Sequence, residues 1–227
     1  MNRRHDFLRS FFALLGFWWG LQSAICQAIS YTITMDTIPL ATQPTPPGPF
    51  ALEFQFIDGD GTMSNTVRLS NFDFGPGGGP TGSPNTMGGA TGNLTGTVTL
   101  TDSSFFNEFI QGFTPGTTTP LSFLLDITGN VEPTIPDAFS LAIFDSSGAE
   151  IPTSFADAFL QIDITHPLTI NTYASDTGVA PRGCPTCPPI ALTAPTVELT
   201  APVPEPGTLL LLISGVVGTI LFQRRLR

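Results

Sequence analysis

The chain is 227 residues long, with 18 Asp+Glu against 8 Lys+Arg and a formal net charge of −10. Every base is an arginine, and only Arg68 and Arg182 stand between residues 29 and 203, against sixteen acids, so the central body carries about −14. A body this acidic repels phosphate backbones and anionic head groups, which excludes nucleic-acid binding.

The N-terminus places Arg3, Arg4 and Arg9 before the apolar run FFALLGFWWGL, followed by small residues at Ser23, Ala24, Cys26 and Ala28. A positive head, a short apolar stretch and a small-residue site form a secretory signal peptide, expected over 1–28 with cleavage after Ala28. Arg3-Arg4 hints at twin-arginine export, but His5 and Asp6 break that spacing, and Ile25 before Cys26 does not suit lipidation.

Residues 29–180 then make one domain of ordinary size. Leu52, Phe54 and Phe56 alternate with Glu53 and Gln55; Val67 and Leu69 flank Arg68; Phe72 and Phe74 flank Asp73. Further strands are predicted at 31–37, 96–101, 121–128, 138–144 and 159–165. Period-two alternation buries one face and wets the other, as in antiparallel sheets. Asp58-Gly59-Asp60-Gly61, Thr128-Gly129-Asn130 and Ser146-Ser147-Gly148 supply turns. The expected fold is all-β: an antiparallel β-sandwich, jelly-roll-like, with most of its fourteen phenylalanines in the core.

Three segments break this pattern. Gln43–Pro49 is a proline-rich lead-in. Residues 75–93, rich in Gly and Pro with no charge or aromatic, are expected to be disordered rather than a binding loop. Ser103–Ile110 places Phe105, Phe106, Phe109 and Ile110 at helix-like spacing, with a strand as the competing reading. After the domain, residues 181–202 read as a Pro/Thr-rich, extended linker.

Candidate chemistry is sparse. Cys184-Pro185-Thr186-Cys187 suits a local disulfide in an oxidising compartment; its proline-rich setting lacks the helix start of a redox motif and the two further ligands of a zinc site. Asp58 and Asp60 are weak calcium candidates, because Leu69 stands where a calcium loop would close with glutamate and a hairpin turn explains the same residues. No GxSxG is present, and His166 is the one histidine beyond the signal peptide. No enzyme activity and no cofactor are expected. Sugar-binding platforms favour exposed Trp or Tyr, and only Tyr31 and Tyr173 remain once Trp18 and Trp19 leave; a phenylalanine on a wet strand face would reopen that reading.

The chain ends Val203-Pro204-Glu205-Pro206, then a charge-free run from Gly207 to Phe222, then Arg224, Arg225 and Arg227. Sixteen residues give only ~24 Å of helix, shorter than a normal span, but snorkelling arginines extend it. The arginines act as a cytoplasmic membrane stop, leaving the body outside. The order Pro-Glu-Pro, apolar span, arginine cluster resembles the PEP-CTERM sorting signal of Gram-negative bacteria. That resemblance covers 203–227 and implies an exosortase as partner: a membrane cysteine transpeptidase that cuts near Pro204, Glu205 and Pro206. It also implies association with hosts that make extracellular polysaccharide. The body, through "LEFQFIDGDGTMSNTVRLSNFDFG", "TDSSFFNEFIQGF" and "PDAFSLAIFDSSGAEIPT", resembles an uncharacterised group of PEP-CTERM proteins, which brings no activity. The expectation is an exported precursor, held in the membrane by its C-terminal helix before processing and then released to the cell surface or the extracellular space. Its body is a non-catalytic surface or matrix module, with binding of the host's own polysaccharide as the alternative.

Overall fold

The computed structural model describes residues 28–43, 48–128, 135–155, 157–165 and 167–200. Residues 1–27 of the expected signal peptide, His166, Pro204, Glu205, Pro206, the apolar run and the terminal arginines lie outside these residues; Ala28, the expected last residue of the signal peptide, opens the first strand. Among the described residues no helix is long and apolar enough to cross a membrane.

Among the described residues, twelve strands form two six-stranded antiparallel sheets. Sheet A runs β12(Thr196–Leu199)-β1(Ala28–Met35)-β8(Leu121–Thr128)-β3(Thr66–Asp73)-β6(Val98–Thr101)-β5(Gly89–Gly92). Sheet B runs β11(Thr169–Thr172)-β10(Leu160–Asp163)-β9(Ala138–Phe144)-β2(Phe50–Ile57)-β7(Phe106–Thr114)-β4(Gly79–Met87). A four-residue helix, α1(Ile38–Ala41), starts with Pro39 in its first turn. The neighbours β1·β8, β2·β7 and β3·β6 nest one inside the next, while β4 and β5 part to the edges of opposite sheets.

The alternation read from the sequence sets the packing. Phe50, Leu52, Phe54 and Phe56 of β2 turn inward, as do Phe109 and Phe113 of β7 and Leu121, Phe123, Leu125 and Ile127 of β8. The Phe54 ring lies 5.9 Å from Phe109 in its own sheet and 5.9 Å from Phe123 in the facing sheet. This aromatic seam joins the layers by apolar burial plus ring-edge attraction.

Three expectations are corrected. Residues 106–114 are strand, not helix: β7 lies between β2 and β4 and alternates strictly, with Asn107, Phe109, Gln111 and Phe113 inward. Pairing on both sides outweighs the local spacing of Phe105, Phe106, Phe109 and Ile110. Phe105 falls outside the strand and is exposed.

Residues 75–93 are ordered. They supply β4, at the edge of sheet B, and β5, at the edge of sheet A. Order comes from β7 rather than from apolar alternation. The buried Gln111 side chain donates to Gly82 O (3.0 Å) and accepts from Leu94 N (2.9 Å), and Asn107 Oδ1 accepts from Gly89 N (2.7 Å). Edge positions also tolerate Pro80 and Pro84, whose missing N–H groups break no inner ladder.

Residues 181–200 are no extended spacer. Ile190 and Leu192 are buried in the core, and Ser175 N donates to Leu192 O (3.1 Å). β12 then pairs with β1, Leu199 facing Tyr31, and Thr200 N donates to Ser30 O (2.9 Å). The sandwich therefore extends past residue 180. Enough apolar side chains punctuate this proline-rich segment to hold it on the body.

Candidate functional site

The strand registers place one set of loops together. Ala28 faces Thr128, Ile57 faces both Phe106 and Ala138, and Thr66 faces Thr101, so the ends of β2, β6 and β8 meet the starts of β1, β3, β7 and β9. The β2–β3 turn (58–65), residues 102–105 and residues 135–137 share this end of the sandwich. Asp58 N donates to Phe105 O (3.1 Å), tying the first loop to the second. Gly59 N donates to Asp137 Oδ1 (2.8 Å) and Asn65 Nδ2 to Asp137 Oδ2 (3.0 Å), tying the first to the third.

Within this end, one carboxylate oxygen each from Asp58, Asp60 and Asp137 lie within 4.8 Å of one another. The fold thus adds Asp137, from the other side of the sequence, to the two candidates read from the turn. Asp58 and Asp137 are buried and Asp60 is half-buried. Each carboxylate already accepts backbone N–H groups: Asp58 Oδ1 from Gly61 (2.6 Å), Asp60 Oδ1 from Thr62 (2.8 Å) and Asp137 Oδ1 from Gly59. Asp102, also buried, accepts from Ser64 N (2.7 Å) and Asn65 N (2.5 Å). Burial raises the Asp137 pKa; the Gly59 N–H and the Asn65 amide oppose this, and the charges of Asp102 and Asp58 add to it. The set can offer three carboxylates to a hard cation, yet the same bonds make a brace that shapes the loops with no ion. Sequence reading missed Asp102, Asn65 and Asp137, because only the fold brings them to the Asp58 turn.

Beside the exposed Thr62, Ser103 and Ser104, this braced end presents three large apolar side chains outward. Met63 is 77 % exposed, Phe105 74 % and Ile135 60 %, one from each of the three loops. Gly59 seats the first loop on the third so closely that a Cβ there would stand 2.4 Å from Pro136 O and 2.6 Å from Ile135 O.

The outer face of sheet B carries a second acidic group. Glu53 of β2 is 2 % exposed and accepts from Gln55 Nε2 (2.7 Å). Burial pushes its pKa up; the Gln55 amide lowers it, while a hydrogen bond with Glu108 and the charges of Glu150 and Glu108 raise it, to about 8. Glu53 is thus largely protonated at neutral pH. At the other end of this face, an open groove of about 560 Å³ is lined by Ala51, Thr81, Ser83, Ile110, Phe144 and Asp145. Near the β10–β11 edge, Phe155 (54 % exposed) stacks on Tyr173 with ring centroids 5.1 Å apart.

Cys184 and Cys187 are joined by a disulfide. Beside it, Gly183 N donates to Asp145 Oδ2 (2.5 Å), and Arg182 pairs with Asp157 at 3.0 Å. These contacts fasten the disulfide segment to the domain.

Residues 202–225 match the family described as the PEP-CTERM protein-sorting motif. No curated protein and no solved structure matches the chain. The motif implies export, exosortase processing and a precursor anchored at its C-terminus.

Proposed function

We propose that this chain, which carries a PEP-CTERM protein-sorting motif at 202–225, is an exosortase-processed surface or extracellular-matrix protein with a non-catalytic β-sandwich. The single observation that carries the reading is the order of its parts: an acidic, all-β body followed within a few residues of Thr200 by the motif. Scarcity of bases supports a non-catalytic role, since Arg68 and Arg182 alone could clamp an anionic substrate and Arg182 already pairs with Asp157. The test is the intact mass of the protein recovered outside native host cells. A mass ending near 203–206 agrees with processing; retention of 207–227 in membrane-bound protein alone sinks it.

A second reading, binding of the host's own exopolysaccharide, is favoured by the exposed Phe155 ring stacked on the half-buried Tyr173. Sugar rings pack their C–H faces on such rings, and the open groove adds hydroxyls beside apolar walls. Binding of the host polysaccharide that falls at least tenfold in Phe155→Ala, with the fold unchanged, supports this reading; equal binding by both proteins removes it.

A further inference from the structure

We infer that the braced loop end, through Met63, Phe105 and Ile135, docks on the surface of the bilayer that holds the C-terminal segment. The inference rests on the anchored-precursor reading above. Two observations meet at this end. First, three large apolar side chains, one from each of three loops, are exposed at this one end, whereas Asp58, Asp102 and Asp137 are buried and turned to backbone N–H groups, and the half-buried Asp60 accepts from Thr62 N. An exposed apolar cluster of this kind marks a contact surface. Second, the chain leaves the domain toward the same end. Thr200 bonds Ser30, two residues from Ala28, which faces Thr128 at the margin of sheet A.

Length makes the choice of occupant specific. From Thr200 to Gly207 is seven residues, at most ~25 Å when fully extended. The apolar run begins at Gly207, so a membrane-held tail keeps this end of the sandwich within that distance of the head groups. A phenylalanine, a methionine and an isoleucine on loop tips suit the head-group boundary, where apolar side chains insert without breaking backbone hydrogen bonds. The net negative body selects a zwitterionic surface over an anionic one. Leu199, exposed on β12 just before the exit, extends the apolar margin.

The test uses the precursor without its signal peptide, residues 29–227, which has no tryptophan of its own, reconstituted into phosphatidylcholine vesicles brominated in their acyl chains. Reporters are Phe105→Trp and Met63→Trp at the docking end and Ser146→Trp at the opposite end, on the turn after β9. Flotation with the vesicles reports anchoring. With the chain floated, most of the Phe105→Trp and Met63→Trp fluorescence should be lost while Ser146→Trp keeps its intensity. Floated chain with all three reporters equally bright overturns docking and leaves anchoring intact. Chain that does not float overturns the anchoring reading and docking with it.

Discussion

Glu53 shows how far a single residue can depart from its place in a pattern. Its position between Leu52 and Phe54 reads as the wet face of β2, and its side chain does point away from the core. The face is nonetheless covered: Ile110 and Ala142 flank it across the ladder, and the chain after β9 folds back so that Glu150 bridges Phe144. With a pKa of about 8 in the fold against an ordinary 4.5, the folded state holds a proton the unfolded state has lost. Its stabilising contribution is therefore complete below about pH 4.5 and fades as pH rises through 8. Glu53→Gln should flatten this slope and raise stability at pH 8 relative to the parent, as read by urea unfolding at pH 5 and pH 8. An unchanged slope would show that Glu53 titrates normally. Asp145 works in the opposite direction: burial raises its pKa, but bonds from Ser147, Gly183 and Ala149 outweigh this and lower it. Its contribution is present above the ordinary carboxylate range and is lost on acidification. Gly59 was legible only as a turn residue. The structure gives it a close approach, so Gly59→Ala should cost about 1–3 kcal/mol by overpacking against Ile135–Pro136, measured by chemical denaturation.

Among the elements, those with period-two alternation were legible in detail: β2, β3, β8 and β9 fall where Leu52–Phe56, Val67–Leu69, 121–128 and 138–144 place them. The elements that escaped were those with few apolar residues to alternate. β4 and β5 have little apolar content, and their order is lent by Gln111 and Asn107 of β7, polar residues on the same inward face as Phe109 and Phe113. β12 escaped because a Pro/Thr-rich composition resembles a spacer whenever its few apolar residues have no visible destination. Ile190 and Leu192 do have one. Leu192→Ala should cost about 2–5 kcal/mol, the range for a buried leucine, while a true spacer would lose at most ~0.5 kcal/mol; equilibrium denaturation separates the two.

For the whole molecule, the acidic brace poses a choice between a cation site and a self-sufficient loop clamp. Saturating Ca²⁺ is expected to leave Tm unchanged, because the carboxylates already accept backbone N–H groups. Ion binding at a hundredfold excess over Kd would contribute about 2.7 kcal/mol and raise Tm by roughly 5–10 °C in a domain of this size, an outcome that calorimetry with and without EDTA would reveal. The same end joins the braced loops, the exposed apolar tips and the chain exit, and no single stretch of sequence carries that combination. By itself the sequence determined the sorting tail, the net acidity and the all-β character, since a linear motif, a charge count and a period of two are local properties. Which residues meet at the Asp58 turn, which phenylalanines face solvent and where the tail leaves the body were decided by the tertiary structure. Each depends on the register between strands tens of residues apart, and register is settled by packing the two sheets rather than by any one strand.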